Sequence, residues 1–200
     1  MIIIKHRVNT IKDLINTPPR FGVEIDLRSN LNKKIYLHHD PFNKGVLFDK
    51  WIKFFKHKLI VLNVKEEGLE KNILKILKKN KINNFFFHDQ TFSSLLKNSI
   101  KTKVSIRYSE YEELKEKKFL FSKIKWLWLD NFTKIKIHKK FYNFLINMNV
   151  KICMVSPELV KKKRIIEIKK TFIKLKKNKI LPHAVCTKKP ERWENLLKNK

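Results

Sequence analysis

Two histidines, two carboxylates and a lysine within the first 65 residues have the types and spacing for acid–base work on a charged substrate: His6, Glu24, Asp26, His39 and Lys65. Glu24 and Asp26 are two apart in an apolar run, so on a strand they share one face and Ile25 takes the other. Two buried carboxylates side by side repel each other unless a cation lies between them. A hard divalent ion, Mg2+ or Ca2+, suits such an all-oxygen site. The alternative is a structural network in which they pair with Lys65, Arg107 or Lys188. Asn63 and Lys65 repeat the same spacing further on. Asn63 has an amide oxygen to offer the metal, and Lys65 an ammonium for a phosphate or a developing oxyanion. His6 and His39 titrate near neutrality and are the natural proton carriers. His39 is preferred to His38 because Asp40 follows it and can orient its imidazole. His57, His138 and His183 read as structural or simply exposed.

These residues do chemistry together only if the elements bearing them converge. The chain has 200 residues and 42% hydrophobic composition, enough for one core, and residues 1–200 are expected to form a single domain. Short apolar runs alternate with longer amphipathic stretches, the rhythm of a parallel α/β protein. Strands are expected at 2–5, 22–27, 59–64, 84–87, 103–107, 126–129, 151–155 and 184–187. A further short strand at 34–39 follows a polar turn at 29–32 and forms an extension between the second and third of these. Helical periodicity is clear at Leu69, Ile73 and Leu77 and at Phe141, Leu145 and Met148. Ser109 is a cap candidate before Glu110 and Glu112, and Ser156-Pro157 opens a long helix expected to run to Lys176. A doubly wound sheet would need a Gly-rich first turn, which is absent. The expected fold is therefore a compact (β/α)8 TIM barrel, short for its kind, since about 250 residues is usual. In such a barrel the carboxyl ends of the strands gather at one face. Those ends carry His6-Arg7, Glu24 and Asp26, Asn63 and Lys65, His88 or Asp89, Arg107, Asp130, Ser156 and Lys188. The planar forks of Arg7 and Arg107 suit a phosphate, as does the charge of Lys188.

The formal net charge of +29 invites a nucleic-acid reading. Lysine, however, is spread over nearly every expected helix and mixed with Ile, Asn and Phe. That distribution reflects AT-rich coding and argues against a specific nucleic-acid partner. Cys153 and Cys186 lie mid-strand without metal-ligand spacing and read as core thiols. Trp126, Trp128 and Trp193 read as core as well. The opening Met1-Ile2-Ile3-Ile4-Lys5 is too short for a signal peptide, and no apolar run reaches membrane-span length. A cytoplasmic protein is expected.

Four stretches together resemble the glycerophosphodiester phosphodiesterase family. His6-Arg7 with Asn9-Thr10 resembles that family's His-Arg-Gly … Glu-Asn-Thr opening, and Gly22-Val23-Glu24-Ile25-Asp26 its Gly-x-Glu-x-Asp strand. His39-Asp40-Pro41 is similar to its His-Asp-Pro turn, and Leu62-Asn63-Val64-Lys65 to its Ile-Glu-Ile-Lys strand. The resemblance covers residues 1 to about 70; beyond that only the barrel rhythm supports it. It implies a metal-assisted phosphoric diester hydrolase of lipid metabolism, acting on a small-molecule or lipid-derived phosphodiester. By the same resemblance Glu24, Asp26 and Asn63 hold Mg2+ or Ca2+, His6 and His39 are catalytic, and Arg7 and Lys65 hold the substrate phosphate; Arg107 and Lys188 are further phosphate candidates from their places at strand ends. Three departures stand out: Val8 replaces the family's glycine, the Glu before Asn-Thr is missing, and Asn63 replaces a carboxylate. The last favours an alternative, a non-catalytic barrel that binds a phosphorylated ligand such as a cell-envelope precursor.

Overall fold

In the computed structural model all residues are described except 31, 33, 113, 115–117, 199 and 200. The chain starts with β1 (Ile2–Lys5) and divides into two units, Lys5–Val104 and Met1–Ile4 with Ser105–Lys200.

The unit Lys5–Val104 contains α1 (Ile11–Ile15), β2 (Gly22–Ser29), β3 (Ile35–Leu37) and β4 (Val46–Leu47), then α2 (Phe48–Trp51), β5 (Ile60–Val64), α3 (Glu70–Lys79), β6 (Phe85–His88) and α4 (Phe92–Ser99). Its strands lie in the order β4-β3-β2-β5-β6. The pairs β2–β5 and β5–β6 are parallel, whereas β2–β3 and β3–β4 are antiparallel. Val23, Ile25 and Leu27 bury one face of β2 completely, and Glu24 and Asp26 are equally buried on the other. The register sets Asp26 opposite Asn63, and Asn63 opposite His88, so three polar side chains fall in one row across adjacent strands. In α3, Ile73 and Leu77 form the buried stripe, with Glu70 in the first turn and Lys78 and Lys79 in the last, as the helix dipole favours.

The other unit contains β7 (Ser105–Tyr108), α5 (Lys118–Lys123), β8 (Trp126–Leu129), α6 (Lys139–Asn147) and β9 (Lys151–Val155), then α7 (Pro157–Val160), α8 (Glu167–Lys177), β10 (Ala184–Thr187) and α9 (Pro190–Lys198). Here β1, β10, β9, β8 and β7 are neighbours in that order, and the pairs from β10 to β7 are all parallel. Trp126, Trp128, Trp193, Cys153 and Cys186 are all buried, as expected.

Every strand expected from the sequence is present within one or two residues of its place. The extension is a hairpin, because β4 adds a partner strand that the sequence pattern did not indicate; part of the turn before it, Leu31, lies outside the described residues. The long helix expected over 157–176 is a correction. Lys161 is extended (φ −140°, ψ 121°), and the segment is split into α7, a 3-10 turn at Lys162–Ile166, and α8. The cause is Arg164, whose guanidinium reaches the carbonyls of Asn131, Phe132 and Thr133 and also Glu167. Fixing that loop outweighs one continuous helix. Ser109 likewise closes a turn, its Oγ accepting from the amides of Tyr111 and Glu112, and the next described helix begins at Lys118.

Gly45, just before β4, passes so close to β3 that an added Cβ would stand 2.2 Å from the Leu37 carbonyl oxygen. Backbone cannot yield cheaply there, so Gly45→Ala is expected to destabilise the chain by about 1–3 kcal/mol in urea melts.

Candidate active site

The residues singled out in the first 65 positions all belong to the unit Lys5–Val104, and the structure joins most of them through two carboxylates. β2 carries Glu24 and Asp26 on one face, both fully buried. Glu24 Oε2 accepts from the Arg7 amide at 2.7 Å and lies 3.7 Å from His6 Nε2, and Glu24 Oε1 accepts from Asn63 Nδ2 at 3.0 Å. Asp26 Oδ2 accepts from Asn9 Nδ2 at 2.9 Å, while the Asp26 amide donates to Asn9 Oδ1 at 2.9 Å. Lys65 Nζ stands 3.5 Å from Asp26 Oδ1 and 3.1 Å from Asp89 Oδ2, and Arg7 Nε is 3.9 Å from Asp26 Oδ2. Of the cations proposed for a structural network, Lys65 does pair with the acidic couple.

The remodelled first loop has a specific geometry. Val8 replaces a glycine of the resembled motif, and it is fully buried. The turn is made one residue earlier, at Arg7, whose φ is 55°. A non-glycine residue in this region is uncommon. Here the conformation delivers the Arg7 amide to the Glu24 carboxylate and the Val8 amide to the Glu24 carbonyl. Trp51, buried in α2, donates from Nε1 to the Thr10 carbonyl and holds the end of the loop.

His39 follows β3. Its Nδ1 donates to Asp40 Oδ1 at 2.7 Å, and this bond holds the Asp40 carboxyl below its usual range. His38 plays a different part: its amide donates to the Asp26 carbonyl, and its Nδ1 accepts from the Asp40 amide. Arg7, Asn9, Asp13, His38, His39 and Asp40 line a groove of about 520 Å³. Arg7 and Asn9, which line that groove, are the residues that hydrogen-bond the buried pair from its side.

Electrostatically the pair is short of positive charge. Burial, and next the charge of Asp26, push the Glu24 carboxyl up to about 7, against the Arg7 amide, the Asn63 amide and Lys65. Asp26 Oδ1 and Asn63 Oδ1 are both buried and accept no hydrogen bond. Asp26 Oδ1, 3.5 Å from Lys65 Nζ, and Asn63 Oδ1, both beside a carboxylate that resists ionisation, are hard oxygen donors of the type Mg2+ or Ca2+ takes. Among the described residues no group of three or more His, Cys, Asp or Glu could hold a metal, and the amide oxygen of Asn63 is the side-chain oxygen beside the pair that accepts no hydrogen bond.

Arg107 and Lys188 belong to the other unit. Arg107 is engaged by Asp130, at 3.1 Å from Nε and 3.0 Å from Nη2, and by Glu112 at 3.5 Å. The Lys188 amide donates to Glu158 Oε1, which also accepts from Thr187 Oγ1, while Ser156 Oγ donates to Glu158 Oε2 and accepts from Trp193 Nε1. Ser156 and Thr187 thus serve a buried network around Glu158. The other three histidines each make a local backbone contact: His57 bonds the Thr17 carbonyl, His138 caps α6, and His183 Nδ1 accepts from the Ile152 amide. Sequence reasoning missed the clasp of Asn9 on Asp26, and it missed Arg28. The period of two that paired Glu24 with Asp26 also puts Arg28 on the same face.

No protein-family model matches the chain, and no curated protein matches it in sequence. Solved structures do. A glycerophosphodiester phosphodiesterase from Thermotoga maritima aligns over 98% of this chain and 98% of its own, with 17% identity and a TM-score of 0.64. The glycerophosphodiester phosphodiesterase of Agrobacterium tumefaciens aligns over 95% of this chain and 97% of its own, with 9% identity and a TM-score of 0.61. The chain has the fold of these enzymes. That is the α/β fold of (β/α)8 type expected from the strand–helix rhythm, and the resemblance read from four short motifs extends, as fold, along the whole chain. Among the described residues no helix is long and apolar enough to cross a membrane.

Burial pushes Asp130 up to about 6, even against its partner Arg107. A carboxyl whose folded pKa is raised adds stability below its ordinary value, 3.8, and loses it as pH rises through about 6. Between pH 4 and 6 the wild-type stability is expected to fall by up to about 3 kcal/mol relative to Asp130→Asn, measured by denaturant melts across that range.

Proposed function

We propose that the chain is a metal-assisted phosphodiesterase that cleaves a glycerophosphodiester-like substrate in the groove lined by Arg7, Asn9 and His39. The observation that carries this reading is the buried Glu24–Asp26 pair, with oxygens of Asp26 and Asn63 that accept no hydrogen bond, flanked by His6 and held by Arg7 and Asn9, which also line the groove of His39. The glycerophosphodiester phosphodiesterases that share the fold supply the substrate class.

In this reading Glu24, Asp26 and Asn63 hold the cation. A bound Mg2+ or Ca2+ supplies Lewis acidity toward the phosphoryl oxygens. Arg7 and Lys65 contribute positive charge to the phosphate as negative charge grows on it. His6, beside Glu24, takes the proton from the attacking hydroxyl, whether of water or of the substrate itself. His39, oriented through Nδ1 by Asp40, uses Nε2 to give a proton to the departing alkoxide, which leaves as the alcohol. One proton is taken and one given, so the reaction needs no redox partner. Arg107 and Lys188, in the other unit, have no role in this mechanism. Cys153 and Cys186, both buried thiols, are compatible with a reducing cytoplasm.

A second reading is favoured by Asn63, which leaves the site one carboxylate short, and by Lys65, which already partners Asp26. In it the groove binds a phosphorylated ligand, such as a cell-envelope precursor, without turnover.

A panel of glycerophosphodiesters and lysophospholipids assayed with Mg2+ or Ca2+ separates the two. The first reading expects turnover that EDTA abolishes, and kcat lowered about 10²–10⁴-fold in His6→Ala and in His39→Ala. Binding without turnover, unchanged by chelator, selects the second.

A further inference from the structure

Arg28 is the third polar residue on the face of β2 that carries Glu24 and Asp26, yet it contacts neither carboxylate. Its guanidinium turns to the hairpin instead: Nε and Nη2 both donate to the His39 carbonyl, at 3.1 and 3.0 Å. Nη1 lies 3.5 Å from Glu66 Oε1. The other oxygen of Glu66 accepts from the Ser29 amide at 2.9 Å and from Ser29 Oγ at 2.6 Å. Glu66 is therefore fixed to the end of β2 and holds the guanidinium from behind. The Arg28 side chain is 14% exposed, so this charge-assisted contact is largely shielded from water.

The target of the contact is informative. The His39 carbonyl belongs to the same peptide group as the Asp40 amide, and that amide donates to His38 Nδ1. One peptide plane is held on its oxygen side by Arg28 and on its nitrogen side by His38. From either end of that plane hang the two side chains of the His39–Asp40 dyad. A hairpin strand of three residues followed by an irregular turn has little of its own to fix that plane.

We propose that Arg28, braced by Glu66, is a positioning residue that sets the His39 imidazole for proton transfer. The inference rests on the phosphodiesterase reading for its kinetic consequence, while its structural half stands apart from it. A guanidinium that positions a general acid matters in proportion to how much acid the leaving group needs. A purely structural arginine lowers all rates alike.

The test compares wild type, Arg28→Ala, Arg28→Lys and Glu66→Gln on two diesters, one with an alkyl and one with a p-nitrophenyl leaving group. Arg28→Ala is expected to lower kcat on the alkyl diester by at least about tenfold with little change in KM, and to leave the p-nitrophenyl diester within about twofold. Arg28→Lys, with one nitrogen in place of two on the His39 carbonyl, and Glu66→Gln fall between. In a His39→Ala background Arg28→Ala adds no further loss. Equal losses on both diesters, or full additivity with His39→Ala, overturn the proposal. The Asp40 amide exchange rate, followed by NMR, provides a reading free of turnover: it rises at least about tenfold in Arg28→Ala while the melting temperature holds. If wild type cleaves neither diester, the phosphodiesterase reading has failed. The exchange rate then decides the positioning alone, and an unchanged rate overturns it.

Discussion

Two carboxylates fully buried on one face of β2 constrain everything around them. An isolated ionised carboxylate removed from water costs several kcal/mol even after relaxation, and Glu24 and Asp26 add mutual repulsion to that cost. The neighbouring chain is organised to answer it. The turn at Arg7 adopts a left-handed backbone to donate an amide, Asn9 clasps Asp26 from two sides, and Asn63 in β5 and Lys65 just after it meet the pair. Even so, the Glu24 carboxyl is held near 7. A protein seeking only stability would place apolar side chains in this row, as it does on the opposite face with Val23, Ile25 and Leu27.

The residual imbalance gives Asn63 its meaning. With a carboxylate in that position the row would hold three negative charges against Lys65 and Arg7, and a divalent cation would be close to obligatory. With the amide the row carries two, its Nδ2 satisfies Glu24, and its Oδ1 is left over. The site retains donors for a hard cation with less electrostatic pull on it. In the proposed cation site the same amide would lower affinity for the ion.

Much of this was legible in the sequence because it depends on a period of two. Alternation along β2 and β5 named Glu24, Asp26, Asn63 and Lys65, and the register of parallel strands then set Asp26 against Asn63. The Asp after His39 indicated a carboxylate partner for that ring, which the structure supplies, while the His38 ring is held by the Asp40 amide. What the sequence did not reveal depends on loops and on contacts distant along the chain. Asn9 reaches Asp26 only because the turn falls at Arg7, and a left-handed φ at arginine has no sequence signature. Arg164 breaks the expected long helix through carbonyls more than thirty residues away, which local propensity cannot register. Arg28 was within reach of the alternation argument, but its partner is a backbone carbonyl, which carries no side-chain signal. Arg107 shows the opposite case: a strand-end arginine suited to phosphate that is already engaged by Asp130 and Glu112.

The measurement that bears most directly on the buried pair is calorimetric titration of the protein with Mg2+ and Ca2+, in wild type, Glu24→Gln, Asp26→Asn and Asn63→Asp. One ion per chain in wild type, binding lost in the first two variants and tightened in Asn63→Asp, is what a cation site made by these residues requires. Absence of binding in wild type, or binding indifferent to all three substitutions, would contradict it.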